Sequence, residues 1–192
     1  MNKIEKFVGE YAFLSNFYPC KVKVDNIVFD NAEAAFQSRR TTSEQQRRFF
    51  QHMLPSEARR SGAKLTQRPD WDQIKVEEMR TVLRAKFAVD DLKTKLLATN
   101  DAVIVNTDSD LFWGVKDDKG ENQLGKLLMT LRDEMSSNGQ KHAENEQTPT
   151  DPQPTPSDVT LDVQDDDNDI QENNDAQTDT QDDGKKKKKH KK

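Results

Sequence analysis

Trp71-Asp72-Gln73-Ile74-Lys75-Val76-Glu77-Glu78-Met79-Arg80-Thr81-Val82-Leu83-Arg84-Ala85-Lys86-Phe87 is the stretch on which the fold class turns. Projected at helical period, Trp71, Ile74, Met79 and Val82 share one apolar face, so it reads as the longest helix, with Asp70 as its cap. Lys75 and Lys86 fall inside the same arc rather than opposite it. A lysine there has two readings. Its stem packs while the ammonium snorkels to water, or the ammonium faces a polar cavity, where it holds a phosphate or serves as a tuned amine.

Working outward, helix outweighs strand. Asp30 or Asn31 caps a helix to about Arg40. Ser43 to His52 reads as helical, Pro55 opens a short helix that Gly62 ends, and Leu92 to Ala98 is another. Asn122, as N-cap, starts a last helix to Met135 with Leu124, Leu127, Leu128 and Leu131 as its core stripe. Val22, Val24, Ile27, Val28 and Phe29 flank the turn pair Asp25-Asn26, which predicts a hairpin. Ala102 to Val105 is a short extended run, and Asp108 to Glu121 is a loop. The expected class is mostly α, an α+β fold with a minor β-hairpin, in one compact domain.

Composition sets the limits of that domain. Residues 1–136 hold every aromatic residue and nearly all large apolar ones, enough for one core. Residues 137–192 are rich in Pro, Gln, Asn, Thr and Asp, with only scattered aliphatics such as Val159 and Ile170, and are expected to be disordered. The formal charge of −5 is concentrated around Asp165-Asp166-Asp167 and Asp182-Asp183, before an end running from Lys185 to Lys192. That basic end reads as a solubility tail, a nuclear address in a eukaryotic or viral host, or a nucleic-acid tether. Cys20 is the sole cysteine, and His52, His142 and His190 are scattered, so neither a disulfide nor a zinc spacing is present. The first residues lack the apolar stretch of a signal peptide and no window approaches a membrane span, which predicts a cytoplasmic protein.

The chemistry concentrates in three places. Phe13-Leu14-Ser15-Asn16-Phe17-Tyr18-Pro19 sets Ser15 and Asn16 among aromatics, where polar groups find buried partners or face a ligand. Glu33, Phe36, Gln37 and Arg40 share one helical face. That face is either a solvent stripe with an ion pair or, if the aromatic loop covers it, a desolvated carboxylate able to guide water or stabilise a cation. Ser109-Asp110-Leu111-Phe112-Trp113-Gly114 puts an aromatic ring on a glycine turn, where backbone comes close to a ligand. The plainer alternative is a core tryptophan with Asp110 as a local turn residue.

Taken in order, Phe13 to Pro19, Glu33 with Phe36 and Gln37, Pro55 with Ala58 and Gly62, Trp71 with Lys75 and Met79, Lys86-Phe87, and Asp110, Trp113, Gly114, Gly120, Asn122, Gly125 and Arg132 resemble the NADAR family. The resemblance spans about Phe7 to Arg132. It implies a compact helical fold that hydrolyses an N-glycosidic bond between ribose and a base or amine, without metal or cofactor. It implies two substrate classes: ADP-ribose on guanine, in nucleic acid or free nucleotide, and phosphoribosyl aminopyrimidine intermediates of riboflavin synthesis. The family's essential glutamate corresponds to Glu33, its tryptophan to Trp71 and its acidic residue to Asp110. Ser15, Asn16, Phe17, Gln37, Trp113, Gly114 and Asn122 are the expected substrate contacts, and Arg40, Lys75 and Lys86 the expected phosphate contacts. Two departures stand out. Arg40 occupies the position of a frequent family lysine, so it keeps the charge but supplies no Schiff-base amine. Val115 stands where some members carry an acid. The competing readings are a module that holds ADP-ribose without turning it over, and an interaction protein working through its tail.

Overall fold

The computed structural model describes residues 2–145, with side chains as far as residue 137; most of the stretch expected to be disordered, with the whole lysine-rich end, lies outside the described residues. In chain order the elements are β1 (Lys3–Ile4), a 3-10 helix (Gly9–Leu14), β2 (Pro19–Val24), β3 (Ile27–Asn31), α1 (Ala32–Ser38), α2 (Glu44–Arg48), α3 (Pro55–Lys64), α4 (Trp71–Lys86), α5 (Asp90–Leu97), β4 (Val103–Ile104) and α6 (Gln123–Asn145). The mostly helical class with a small β component is the one the chain adopts.

The hairpin forms for the expected reason. Asp25 and Asn26 both take positive φ, 48° and 62°, which matches the twist of the antiparallel strands on either side. Val22 pairs with Phe29 and Val24 with Ile27, and all four are buried on one face. That face covers α1 and α4. Helix α1 is short and buried along its whole length. Asn31 fixes its start by accepting from the Ala34 amide at 2.8 Å, and its own amide donates to the Met53 carbonyl at 2.9 Å. In α4, Trp71, Met79 and Val82 turn inward as the period predicts. Each such side chain contributes roughly 1.5–3 kcal/mol on burial. Leu124, Leu127, Leu128 and Leu131 seat α6 on the same core.

Several expectations are corrected. β1 pairs in parallel with β4, Lys3 beside Val103 and Ile4 beside Ile104, and nothing in two-residue strands announces this. The helix expected over Ser43 to His52 is only α2, and α1 stops at Ser38 rather than near Arg40. Gly62 does not end α3; it lies inside the helix, which continues to Lys64. The Asp70 carboxylate does not cap α4, because Arg68 takes both of its oxygens, at 2.6 and 2.8 Å. Helix α6 runs on past Met135 to Asn145, so its last residues belong to the stretch expected to be disordered. Among the described residues no helix is long and apolar enough to cross a membrane.

Lys86 overturns the snorkelling reading. Its side chain is fully buried, and Nζ donates to the Ser15 carbonyl at 2.7 Å. Burial pushes the ammonium down to about 8 from its ordinary 10.5, a shift only partly opposed by nearby Cys20. Below pH 8 both the folded and unfolded chains hold this proton, and the full desolvation penalty acts on the fold. Between about 8 and 10.5 the folded chain sheds the proton while the unfolded chain keeps it, so stability rises with pH. Urea unfolding across this range should therefore show wild type gaining on Lys86→Met by about 3 kcal/mol. A difference curve that stays flat would remove Lys86 as the cause.

Candidate active site

Glu33 sits in the first turn of α1 and is 3% exposed. Its amide donates to the Asn16 carbonyl at 3.0 Å, which fastens the aromatic loop onto the helix start. The solvent-stripe reading of this helical face thus fails, and the covered one holds. Oε1 of Glu33 accepts from Gln37 Nε2 at 2.9 Å and from Arg59 Nε at 3.2 Å. Among the described residues nothing donates to Oε2, and Glu33 lines a cavity of about 390 Å³. One carboxylate oxygen is clamped and the other is left for chemistry.

Around it, three buried polar atoms lack partners: Asn16 Oδ1, Gln37 Oε1 and Arg40 Nε. All three residues line this same cavity. Asn16 spends its amide on the Met79 sulfur at 3.4 Å. Arg40 makes no ion pair among the described residues; its guanidinium lies 5.1 Å from the Trp71 ring centroid. Burial pulls the Arg40 guanidinium down from its ordinary range, with Glu33, Asp110 and Asp72 pulling the other way. Phe17, 40% exposed, and Trp113 form aromatic walls. Asp110 also lines the cavity, and its Oδ1 accepts from the Phe112 and Trp113 amides at 3.0 and 3.3 Å, so the turn role and the cavity position coexist.

The structure brings together Ser15, Asn16, Phe17, Glu33, Gln37, Arg40, Asp110 and Trp113. It places the other expected site residues elsewhere. Trp71 is buried behind the wall, 5.3 Å from Phe36, whose ring is also 5.3 Å from Trp113. Lys75 pairs with Asp72 at 3.1 Å and stands over Phe112 at 4.3 Å, outside the lining. Lys86 lies beneath Ser15. Gly114 is packed on the backbone of Asn106 and Asp108, with no room for a side chain. Asn122 takes φ 51°, and its side chain does not cap α6. It bridges the Ile104 carbonyl and the Asn106 amide, both at 2.9 Å, and so holds the 105–122 loop against β4.

Sequence reasoning passed over Arg59, Asp108 and Asn106, all of which line the cavity. Arg59 Nη1 and Nη2 donate to Asp108 Oδ2 at 3.2 and 3.1 Å. Burial alone would raise the Asp108 carboxyl, but the Asp110 amide and Arg59 hold it below the usual range. No local signal marks Arg59, since its partners are set by how α3 crosses α1. Gly62 was the available clue, as it permits that crossing.

With this geometry in place, comparison with known proteins gives a consistent result. The NADAR domain profile matches residues 5–136, and the chain belongs to the NADAR domain family. N-glycosidase YbiA of Escherichia coli (strain K12) is 35% identical over 133 residues, covering 66% of this chain and 83% of that protein. A riboflavin biosynthesis protein of Vibrio vulnificus is 34% identical over 142 residues, but this chain spans only 37% of its length. The NMR structure of E. coli YbiA superposes with a TM-score of 0.65 at 32% identity, covering 73% of this chain and 87% of that one.

A Cβ at Gly62 would lie 2.1 Å from Gln37 Oε1 and 2.9 Å from its Cδ. Helix propensity favours alanine over glycine by about 1 kcal/mol. The collision should nevertheless decide the sign. Gly62→Ala is expected to lower the melting temperature, and Gln37→Ala in the same chain to recover most of the loss. Thermal unfolding of the two single variants and the double variant checks this coupling.

Proposed function

We propose that this NADAR domain is an N-glycosidase that hydrolyses a ribosyl C–N bond, and that its substrate is ADP-ribose attached to guanine, in nucleic acid or free nucleotide. The observation that carries the reading is Glu33, a buried carboxylate lining the cavity, with Oε1 held by two donors and no donor on Oε2 among the described residues. As the C1′–N bond breaks, its electron pair leaves with the base, which takes up a proton. Positive charge then builds on the ribose. A fixed anionic oxygen beside C1′ stabilises that charge and orients the water that adds there, giving up a proton of its own.

The remaining groups have roles suited to such a substrate. Phe17 offers the exposed aromatic face on which the planar base stacks, and Trp113 walls the sugar. Trp71, set behind Phe36, supports this wall and stacks under Arg40 instead of touching the base. Arg40, with its unpartnered Nε, takes a phosphate oxygen. Asp110 receives a ribose hydroxyl. Asn16 completes its hydrogen bonding with the substrate's polar edge, while Gln37, its oxygen against Gly62, keeps its donor on Glu33. The lysine-rich end adds attraction for a nucleic-acid substrate. Turnover of an oligonucleotide should then fall with salt more steeply than turnover of a free nucleotide.

One observation favours a second reading. The Vibrio vulnificus relative is named for riboflavin biosynthesis, which points to phosphoribosyl aminopyrimidines. Mass spectrometry separates the two. Wild type should release ADP-ribose from an oligonucleotide bearing ADP-ribosyl guanine, with Glu33→Gln slower by ~100-fold or more. Arg40→Ala should raise KM about tenfold with kcat little changed, the loss of one charge-assisted hydrogen bond. Cleavage of the aminopyrimidine alone would transfer the assignment to the second reading. Full activity of a folded Glu33→Gln variant would sink the role given to Glu33.

A further inference from the structure

We propose that Arg59 is the positioning residue of this reaction, holding Glu33 paired and aimed while it joins Asp108 and Phe17 across the cavity mouth. The proposal rests on the assignment of Glu33 made above.

A carboxylate that is 3% exposed needs a counter-charge. The charged groups lining the cavity with Glu33 are Arg40 on its own helix, Arg59 on α3, and Asp108 and Asp110 on the 105–122 loop. The aromatic loop and α4 present Asn16, Phe17 and Met79 there, none of them charged. The two aspartates carry the same sign as Glu33. Arg40 acts on it electrostatically but makes no ion pair with it, so the paired counter-charge is Arg59, whose Nε is 3.2 Å from Oε1. Bonding through Nε fixes direction as well as charge, because it holds Oε1 on the protein side and leaves Oε2 to the substrate.

The other end of the guanidinium is equally constrained. Both Nη atoms reach Asp108 Oδ2, and the plane lies 4.9 Å from the Phe17 ring centroid. One planar group therefore ties four segments: α1, the aromatic loop, α3 and the 105–122 loop. A lysine has one ammonium and cannot serve two carboxylates with separate faces of a fork. The Arg59 side chain is 49% exposed, so it can be changed without opening the core.

The test is kcat and KM on whichever of the two substrates named above the wild type cleaves, for wild type, Arg59→Gln and Arg59→Lys. Arg59→Gln should cut kcat by ~10-fold or more with KM little changed. Arg59→Lys should also lower kcat with KM little changed, since charge is kept and aim is lost. In a Glu33→Gln background, Arg59→Gln should add no further loss. Wild-type kcat in a folded Arg59→Gln variant overturns the proposal. So do fully additive losses in the double variant, which would mean that Arg59 contacts the substrate directly. Glu33→Gln at wild-type activity is a distinct result, and it removes the Glu33 assignment itself along with the proposal.

Discussion

The carboxylate of Glu33 is held almost out of solvent on a helix buried along its whole length, and most of the surrounding architecture answers that constraint. Desolvating a charge costs several kcal/mol unless a counter-charge and hydrogen bonds replace the water. Gln37, one turn on, supplies a neutral donor, and Arg59, from the neighbouring helix, supplies the charged one. For α3 to bring Arg59 close enough it must lie against α1. Ala58 and Gly62 of α3 are buried there, Gly62 with the Gln37 carboxamide where a Cβ would stand. A single buried charge thus dictates a small residue two helical turns after Pro55 and the separation of two helices.

The same helix start anchors the aromatic loop through the Asn16 carbonyl. That loop is braced from below by Lys86, an amine kept at the centre of the core for one hydrogen bond to Ser15. Across the cavity, the 105–122 loop is fastened differently. The β1–β4 pair fixes its beginning, Asn122 bridges its two ends, and Gly120, at φ 131°, lets the chain turn back with its Cα against the Gly114 carbonyl. Two loops without regular structure are thereby made rigid enough to present Asn16, Phe17, Asp108 and Asp110 at fixed positions, the condition under which electrostatic stabilisation of a developing charge is effective.

What was legible in the sequence was local. The hairpin follows from Asp25-Asn26 and the alternation around it. Helix α4 follows from Trp71, Met79 and Val82, and the shared direction of Glu33 and Gln37 from their spacing of four. The illegible features depend on contacts between distant segments. Asp70 and Asn122 are both of a residue type that caps helices, yet Arg68 claims one and the β4 backbone claims the other. Trp71 and Trp113 were both expected at the site, and Phe36 lies between them, with Trp113 on the cavity side. Arg59 had no signal, since an arginine on a short helix is ordinarily a solvated residue. Lys86 carried a signal, its place in the apolar arc, but whether such a lysine escapes to water depends on how near the edge of the core it lies.

Polar satisfaction sets the cavity apart from the rest of this molecule. Glu78 is buried between Arg39 and Arg68, and Arg132 reaches Thr99 and the Ala102 carbonyl, so these buried charges are paired within the fold. The unpartnered buried side-chain atoms found among the described residues are those of Asn16, Gln37 and Arg40, and all belong to one cavity. Each such atom destabilises a fold by about 1–3 kcal/mol, a large fraction of ordinary net stability. Three at one place, beside a carboxylate with a free oxygen, are hard to account for as packing faults, which would be scattered. Gln37 Oε1 lies against Gly62 in the contact between α1 and α3, whereas Asn16 Oδ1 and Arg40 Nε fit a surface whose hydrogen bonds are completed from outside.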